Sequence, residues 1–182
     1  MNRNADKEYW QLLWNQFKAG DKKAFETIYN EFVDVLFDYG CKITLDKTIV
    51  EDAIQDLFID IYKYNIRLHH PEYLQFYLFK SLKRIIIRKL KGNRKLNYTD
   101  DSPEKFDFKF LIEDETEDKN FEGQLNLLQK ELKNLDAKKR ELLFLKFNSG
   151  LTYAEIGKLL DLKPDTVKKQ IQRLIKNIRG KF

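Results

Sequence analysis

Residues 151–173 read LTYAEIGKLLDLKPDTVKKQIQR, and this stretch predicts two short helices joined by a tight turn. Thr152 and Glu155 have the spacing of a capping box, in which each side chain bonds to a backbone N–H of the first helical turn. Pro164 suits the first position of the second helix, because its missing N–H would have no intrahelical partner there. The second helix has apolar residues every three or four positions on one face and positive charge on the other. This pattern is typical of a helix-turn-helix that docks in the major groove of DNA.

The whole chain has the composition of a helical protein with a polyanionic partner. Its 182 residues allow one large or two small domains, and a hydrophobic content of 42% is enough for real cores. The charged content of 35% lies above the usual quarter, which favours small helical modules with much surface. Seven Gly and three Pro are too few for an all-β fold, so we predict an all-α protein. The formal net charge of +5 favours a polyanion as partner.

Several function classes are disfavoured by what the sequence lacks. Cys41 is the single cysteine, so no intramolecular disulfide can form, and no metal site is expected from it and the pair His69–His70. No phosphate-binding Gly-rich loop, nucleophile elbow or HExxH motif occurs, so we expect neither an enzyme nor a cofactor. The charged N-terminus does not resemble a signal peptide, and no apolar run approaches the ~20 residues that span a bilayer. We expect a cytoplasmic protein that is not itself a membrane protein.

Apolar periodicity predicts two small helical domains separated by an acidic segment. Helical patterns cover most of the chain up to residue 90 and resume at residue 121. Between them the chain is rich in Asp and Glu and lacks a helical period, which predicts a flexible linker. We therefore predict one domain at 1–95, an acidic linker at 96–120 and a second domain at 121–182.

The predicted helix that ends near residue 90 carries an unbroken run of positive charge. No acid occurs between Lys80 and Lys95. Such a run is either a solubilising surface or a site for a polyanion, and the repulsion between its own charges favours the polyanion. Aromatic residues lie just upstream, and rings beside cations are typical of proteins that bind single-stranded nucleic acid. The cationic side chains are Lys80, Lys83, Arg84, Arg88 and Lys91.

The helix predicted from about residue 48 to 64 presents acidic residues opposite its apolar face. Asp52, Asp56 and Asp60 recur at four-residue spacing, with Gln55 among them. A carboxylate dyad for acid–base chemistry would need a second helix with carboxylates or His, and none pairs with this one. The stripe is therefore either a solvated face or a docking face for a basic partner.

Four segments of the chain, taken in order, are similar to a known series of sequence motifs. Residues 20–29 read GDKKAFETIY, and residues 52–58 read DAIQDLF, which is similar to an Asp-x-x-Gln-Glu-x-Phe motif. A basic helix follows at 77–91, and 142–179 contains the sequences Leu-Thr-Tyr-x-Glu-Ile and Thr-Val-Lys. The set resembles an extracytoplasmic-function (ECF) sigma factor, from the short two-domain branch of the sigma-70 family. The resemblance covers nearly the whole chain except the linker.

The resemblance implies an RNA polymerase sigma factor that binds core polymerase and directs promoter-specific initiation of transcription. The domain at 1–95 would be sigma domain 2, which binds polymerase and recognises and melts the −10 element. The domain at 121–182 would be sigma domain 4, whose helix-turn-helix reads the −35 element. The implied partners are core polymerase, through its β′ clamp helices and β flap, promoter DNA, and an anti-sigma factor that could be membrane-bound.

The resemblance also assigns roles to single residues. The polymerase-binding residues would be Asp52, Gln55 and Asp56, which would meet arginines through charge-assisted hydrogen bonds. The −10 residues would be Tyr77, Lys80, Lys83, Arg84, Arg88 and Lys91. The −35 residues would be Lys163, Thr166, Lys168, Lys169, Gln172 and Arg173. Among these, Arg173 and Gln172 are expected to read bases, since Arg suits guanine and Gln suits adenine, while the lysines hold phosphates.

Four positions depart from the usual residues of the family. Arg84 stands where Asn is usual and Arg88 where Asp is common, so phosphate affinity should rise while the chemistry of melting stays open. Tyr77 stands in place of a frequent Trp and keeps a stacking ring. Asp161 replaces the usual Gly of the turn, and it tolerates the left-handed conformation better than most residues do.

The acidic linker has two interpretations. In the family the linker runs through polymerase channels that otherwise hold nucleic acid, so a chain of Asp and Glu could mimic a polyanion there. The alternative is a solubilising spacer. Phe106, Phe108 and Phe110 are unusual in a spacer, and they could pack against a partner surface or a domain of this chain.

Two other functions are compatible with the residues alone. A helix-turn-helix regulator would bind operators without polymerase and use its N-terminal module for dimerisation or ligand sensing. An RNA- or single-strand-binding protein would show no preference between duplex sequences. The family resemblance, more than the charge, favours the sigma factor over both.

Overall fold

Eight helices and no strand form the part of the chain that the computed structural model describes, which comprises residues 3–64, 74–93, 106 and 119–182. The all-α prediction is therefore confirmed. The helices divide between two compact units, one ending at Asp101 and the other beginning at Ser102. The N-terminal unit contains α1 (Arg3–Lys18), α2 (Lys22–Ile43), α3 (Lys47–Tyr64) and α4 (Leu74–Asn93). The C-terminal unit contains α5 (Lys119–Lys133), α6 (Ala137–Phe147), α7 (Tyr153–Leu160) and α8 (Pro164–Arg179).

Some of the predictions fall on residues outside these ranges. His69 and His70 are among them, as are Phe108 and Phe110. Within the predicted linker, 96–120, only Phe106, Lys119 and Asn120 are described. The predicted domain boundaries remain predictions, and the division between the two units falls inside the predicted linker.

Helix α2 is central to the N-terminal unit, because it packs against α1, α3 and α4. It begins as its sequence predicts. Gly20, at φ 97°, closes the preceding turn, and the Asp21 side chain accepts hydrogen bonds from the N–H groups of Lys23 (2.8 Å) and Ala24 (3.4 Å). The four helices share a core of large apolar side chains whose burial holds α3 and α4 against α2. That core includes Trp14, Phe17, Ile28, Leu36, Tyr39, Leu57, Ile61, Leu78 and Leu82.

Gly40 lies where α3 and α4 pack closely against α2. A Cβ at this position would lie 2.5 Å from Cγ1 of Val50 on α3 and 3.2 Å from Cδ1 of Ile86 on α4. Both neighbouring side chains are fully buried and have no free space to move into. Gly40 therefore allows α3 and α4, the two helices with predicted binding faces, to pack closely on α2.

The C-terminal unit is built on a leucine core shared by α5, α6 and α8. Its buried members are Leu132, Leu143 and Leu174, with Leu128, Leu135 and Ile178 packed around them. Asp136 starts α6 as an N-cap, and its side chain accepts a hydrogen bond from the N–H of Lys139 at 2.8 Å. The leucine stripe that the sequence shows after residue 121 thus forms the core that supports α8.

Helices α7 and α8 form the predicted helix-turn-helix. The capping box is present, because Thr152 Oγ1 accepts from the N–H of Glu155 (3.2 Å) and Glu155 Oε2 accepts from the N–H of Thr152 (2.7 Å). Asp161 adopts the left-handed conformation at φ 56°, as expected for its place in the turn. A Cβ on Gly157 would lie 2.5 Å from the carbonyl oxygen of Leu162, so Gly157 is required by the turn itself.

The described ranges contain no helix that is both long and apolar enough to cross a membrane. They also contain no cluster of three or more His, Cys, Asp or Glu side chains that could hold a metal ion.

Candidate nucleic-acid interfaces and the acidic face

Helix α8 presents all six predicted −35 residues on its solvent side. Val167, Ile171 and Leu174 form the buried face, and their burial fixes the rotation of the helix. Thr166 is half-buried and the other five are exposed. Those five side chains are Lys163, Lys168, Lys169, Gln172 and Arg173. A wide polar and cationic surface with an apolar back is what a recognition helix requires.

Arg173 lies at the edge of this surface and lines a cleft between α8 and the start of α6. The cleft has a volume of about 730 Å³. Lys138 and Lys139 line it from the α6 side, and Lys139 Nζ lies 2.6 Å from a carboxylate oxygen of Asp136. The full lining is Asp136, Ala137, Lys138, Lys139, Gln170, Arg173, Leu174 and Asn177. The basic surface therefore extends from α8 onto the first turn of α6.

Sequence reasoning omitted three cations of this surface from the predicted site. Lys176 is exposed on α8 and follows Gln172 by four residues, so helical spacing alone could have identified it. Lys138 and Lys139 belong to a helix about 30 residues earlier in the chain. Only the packing of α6 against α8 brings them to the recognition helix, and no local sequence signal indicates that contact.

Helix α4 displays a cationic stripe in the N-terminal unit. Lys80, Arg84 and Arg88 are exposed and follow one another by four residues, so they lie along one face. Lys91 continues the stripe and is half-buried. Lys80 Nζ lies 5.5 Å from the ring centroid of Phe76, which places an aromatic face beside the cations.

Two of the predicted −10 residues, Lys83 and Tyr77, are not exposed on the cationic stripe of α4. The Lys83 side chain is only 6% exposed and lies on the side of α4 that carries Phe79, Ile86 and Ile87, all of them buried. Its position three and four residues from these apolar neighbours explains the burial, and its long methylene chain suits an apolar environment. Lys83 therefore departs from the exposed basic face on which the sequence pattern placed it.

Tyr77 is half-buried and packs within the unit. Its ring meets Trp14 edge to face at a centroid distance of 6.5 Å. Burial raises the pKa of the Tyr77 phenol above its ordinary value, although a hydrogen bond with Ser81 opposes the increase. The phenol is thus neutral at physiological pH, and only part of the ring is available to a stacked base.

Helix α3 carries the predicted acidic face. Asp52 and Gln55 are exposed, whereas Asp56 is half-buried and forms an ion pair with Lys89 of α4, with the two charged atoms 2.8 Å apart. The exposed face also contains Ile59 and Tyr62, each nearly half exposed. The structure therefore brings the three predicted residues to one surface, but one of the two carboxylates already has a partner within the unit. Sequence spacing could not reveal Lys89, because it lies on another helix.

Comparison with known proteins relates the C-terminal part of the chain to a described family. Residues 125–178, which run from α5 to the end of α8, match the family described as Sigma-70, region 4. This part of the chain is similar to sigma-70 region 4, in agreement with the resemblance that the residue pattern indicates, and it contains the helix-turn-helix with its basic α8. No protein of curated function matches the chain in sequence.

Solved structures are similar in fold to the chain over both units. CnrH in complex with the cytosolic domain of CnrY matches with a TM-score of 0.60 and 18% identity, over 93% of this chain and 94% of that one. The sigma factor RpoE in complex with the anti-sigma factor NepR, from Bartonella quintana, matches with a TM-score of 0.55 and 15% identity, over 86% and 96%. At these identities the likeness concerns the fold, which is the two-domain helical fold predicted from the sequence.

Proposed function

We propose that this protein is a member of the sigma-70 family, an ECF-type sigma factor that binds core RNA polymerase and directs promoter-specific initiation of transcription. The observation that carries the proposal is the exposed basic helix α8 inside a region 4 domain. The second basic helix, α4, and the acidic face of α3 support it, because initiation requires two DNA contacts and one polymerase contact. The protein would not itself be a catalyst.

Helix α8 would read the −35 element. Gln172 and Arg173 have the side chains that form bidentate hydrogen bonds with adenine and guanine in the major groove. The lysines of the helix would hold phosphates and so fix its register on the duplex. Lys138, on the first turn of α6 across the cleft from Arg173, would extend these phosphate contacts beyond the recognition helix.

Helix α4 would bind the −10 element and its unpaired strand. Lys80, Arg84 and Arg88 form a cationic stripe long enough to follow several phosphates. Phe76, beside Lys80, would supply a ring for base stacking, and the exposed part of Tyr77 a second one. Lys83 is the least suited of the six predicted −10 residues, because its side chain is buried.

The acidic face of α3 would dock on a basic surface of core polymerase, the β′ clamp helices. Ionised carboxylates at such a contact form charge-assisted hydrogen bonds with arginine. Asp52 is exposed and available for such a contact, whereas Asp56 already pairs with Lys89 through one carboxylate oxygen. The exposed side chains of Ile59 and Tyr62 would add apolar area to the same contact.

Regulation of the protein by an anti-sigma factor is also part of the proposal. The related fold of RpoE was solved with the anti-sigma factor NepR, which supports the idea of a comparable partner here. Such a partner would act in the cytoplasm, where the polymerase is, and it would block the polymerase and DNA faces until a signal releases the protein.

Run-off transcription with purified core polymerase tests the proposed function. We expect the wild-type protein to produce transcripts that start at defined promoters, and Asp52→Lys to reduce them at least tenfold by weakening polymerase binding. Asp34→Lys, at an exposed acid of α2, is the matched control and should leave transcription unchanged. A reversal at Asp56 is less clean, because it would place a lysine against Lys89.

The same experiment distinguishes a sigma factor from a helix-turn-helix regulator that acts without polymerase. If the wild-type protein binds duplex DNA specifically without polymerase, and Asp52→Lys has no effect in either assay, the protein is a helix-turn-helix regulator. Absence of specific initiation at any promoter, with active core polymerase present, would contradict the sigma factor proposal.

A further inference from the structure

Phe106 stands apart from the acidic segment in which it occurs. It is the one described residue between 94 and 118, and its side chain is completely buried. Its immediate neighbours in sequence are Lys105 and Asp107, and the segment as a whole is rich in Asp and Glu. An aromatic side chain that is fully removed from water inside such a segment needs a folded surface to receive it.

That surface belongs to α6 of the C-terminal unit. The Phe106 ring meets the Phe144 ring edge to face, with ring centroids 5.8 Å apart and planes at 68°. Phe144 is itself buried at 2% exposure, and both residues lie in the same compact unit. Edge-to-face packing of two buried rings is a favourable and directional contact.

We propose that Phe106 anchors the linker to the C-terminal unit, so that the short segment 94–105 alone sets how far the two units can separate. The length of the covalent chain limits the distance between the two units. The 13 residues from the end of α4 to Phe106 can span at most about 45 Å, whatever conformation they adopt. The 26 residues from α4 to the start of α5 could span about 90 Å without the anchor.

The anchor divides the linker into two parts with different roles. Residues 94–105 join the two units. Residues 107–118 begin and end on the same unit, at Phe106 and at Lys119 of α5, so their length has no effect on the separation of the units. The anchor therefore makes Phe106 a specificity-determining residue if the units contact two DNA elements, and this part of the inference rests on the proposed function.

The expected size of the effect follows from the length of the tether. The effective concentration of a tethered second contact falls roughly as the −3/2 power of tether length. Releasing the anchor doubles the joining segment from 13 to 26 residues and should lower that concentration about threefold. It should also let the protein accept promoter elements at a wider range of separations.

The first test needs neither polymerase nor DNA. Donor and acceptor dyes are placed at Glu26→Cys and Lys130→Cys, one exposed position in each unit, in a Cys41→Ser background. A twelve-residue Gly-Ser insertion is made either between Asp100 and Asp101 or between Ile112 and Glu113. We expect the first insertion to lower energy transfer and the second to leave it unchanged. Both variants retain Phe106, so neither depends on the tolerance of the fold to losing it.

The second test uses the holoenzyme on promoters whose two elements are separated by one-base-pair increments. Phe106→Ser and the insertion before Phe106 should both raise transcription from non-optimal separations, by about threefold relative to the optimum. The insertion after Phe106 is the control and should keep the wild-type profile. Thermal unfolding shows whether Phe106→Ser still folds. If this variant does not fold, the insertion before Phe106 tests the same expectation.

The outcomes distinguish the anchor from the proposed function. Equal decreases in energy transfer from the two insertions, or no decrease from the first, would overturn the anchor. If energy transfer changes as expected and the wild-type protein supports no specific transcription, the anchor stands and the sigma factor proposal fails.

Discussion

Gly157 and Asp161 lie four residues apart in the helix-turn-helix, and each satisfies a different constraint on the same turn. A side chain on Gly157 would collide with the carbonyl oxygen of Leu162, a backbone atom that can move only if the turn changes. Asp161 supplies the left-handed residue that ends α7, and the N–H of Leu162 then donates to the carbonyl of Gly157 at 2.8 Å. The angle between α7 and α8 thus depends on Gly157 and on an aspartate that tolerates the left-handed conformation.

Gly157→Ala should destabilise the C-terminal unit by about 1–3 kcal/mol, because overpacking against backbone cannot relax. Chemical denaturation followed by circular dichroism measures the change. Gly123→Ala in α5 is the control, since a Cβ there meets nothing within 4 Å and alanine is the better helix former, so stability should stay the same or rise by up to about 1 kcal/mol. Similar losses for both substitutions would contradict the steric explanation.

Arg173 and Lys168 are both exposed on α8, yet we expect different consequences from removing them. Arg173→Ala should cost about 1–3 kcal/mol on the preferred promoter and relax selection at one base pair, because a bidentate contact with guanine is lost. Lys168→Ala should weaken binding to all sequences by the same factor, since a phosphate contact carries no sequence information. Holoenzyme binding to a set of single-base promoter variants measures both. An equal loss of affinity for all promoter variants on Arg173→Ala would mean that Arg173 contacts DNA phosphates and not a base.

At the scale of a helix, the start of α6 combines a cap and an ion pair. Burial tends to raise the pKa of Asp136, but hydrogen bonds from the side chain and backbone of Lys139 outweigh it, and the pKa lies below its ordinary value of 3.8. A carboxyl with a lowered folded-state pKa stabilises the fold above the unfolded-state pKa, and that stability is lost as the pH falls through the folded-state value.

Asp136→Ala should therefore destabilise the C-terminal unit by about 1 kcal/mol at pH 7 through loss of the cap. Asp136→Asn keeps a capping acceptor without the charge, so it should cost less at pH 7 and match the wild type more closely below pH 4. Urea denaturation at pH 7 and below pH 4 gives the comparison. A wild-type advantage over Asp136→Asn that stays constant across this range would show that the charge does not contribute.

How far sequence predicts these elements depends on whether the signal is local. The capping box at Thr152 and Glu155, the Asp21 cap and the left-handed Asp161 are each set by neighbours in sequence, and all three were predictable. The partners of Asp56 and Phe106 come from other helices, so the sequence indicated only that the first was acidic and the second unusual. Lys83 shows the reverse error, since charge alone suggested exposure while its helical position places it among buried apolar residues.

At the scale of the whole molecule, each of the two units has a helix with several exposed cations among its described residues, α4 in the N-terminal unit and α8 in the C-terminal unit. Joining them makes the second contact intramolecular once the first has formed. Under the proposed function, the affinity for a promoter is then a property of both units and of the chain that connects them.

Neutralising the α4 stripe tests this division. The triple substitution Lys80→Gln, Arg84→Gln and Arg88→Gln should reduce the slope of log affinity against log salt by roughly 2 units on a single strand, at about 0.7 per phosphate contact. Holoenzyme binding to a promoter with a pre-opened −10 region, measured across a salt series, gives the slope. The charge-matched control replaces three exposed lysines of the same unit with Gln and should leave this slope unchanged. Its substitutions are Lys22→Gln, Lys23→Gln and Lys47→Gln. Equal changes in the two triple variants would mean that only net charge matters.

The ion pair between Asp56 and Lys89 connects α3 and α4 of the N-terminal unit. A partner's basic group that takes the place of Lys89 at Asp56 leaves the Lys89 ammonium as an additional uncompensated charge on the helix that carries Lys80, Arg84 and Arg88. Thermodynamic linkage requires the effect to be reciprocal, so an anion that attracts Lys89 would equally free Asp56. Where a ligand breaks this ion pair, binding at the α3 face and binding at α4 each favour the other.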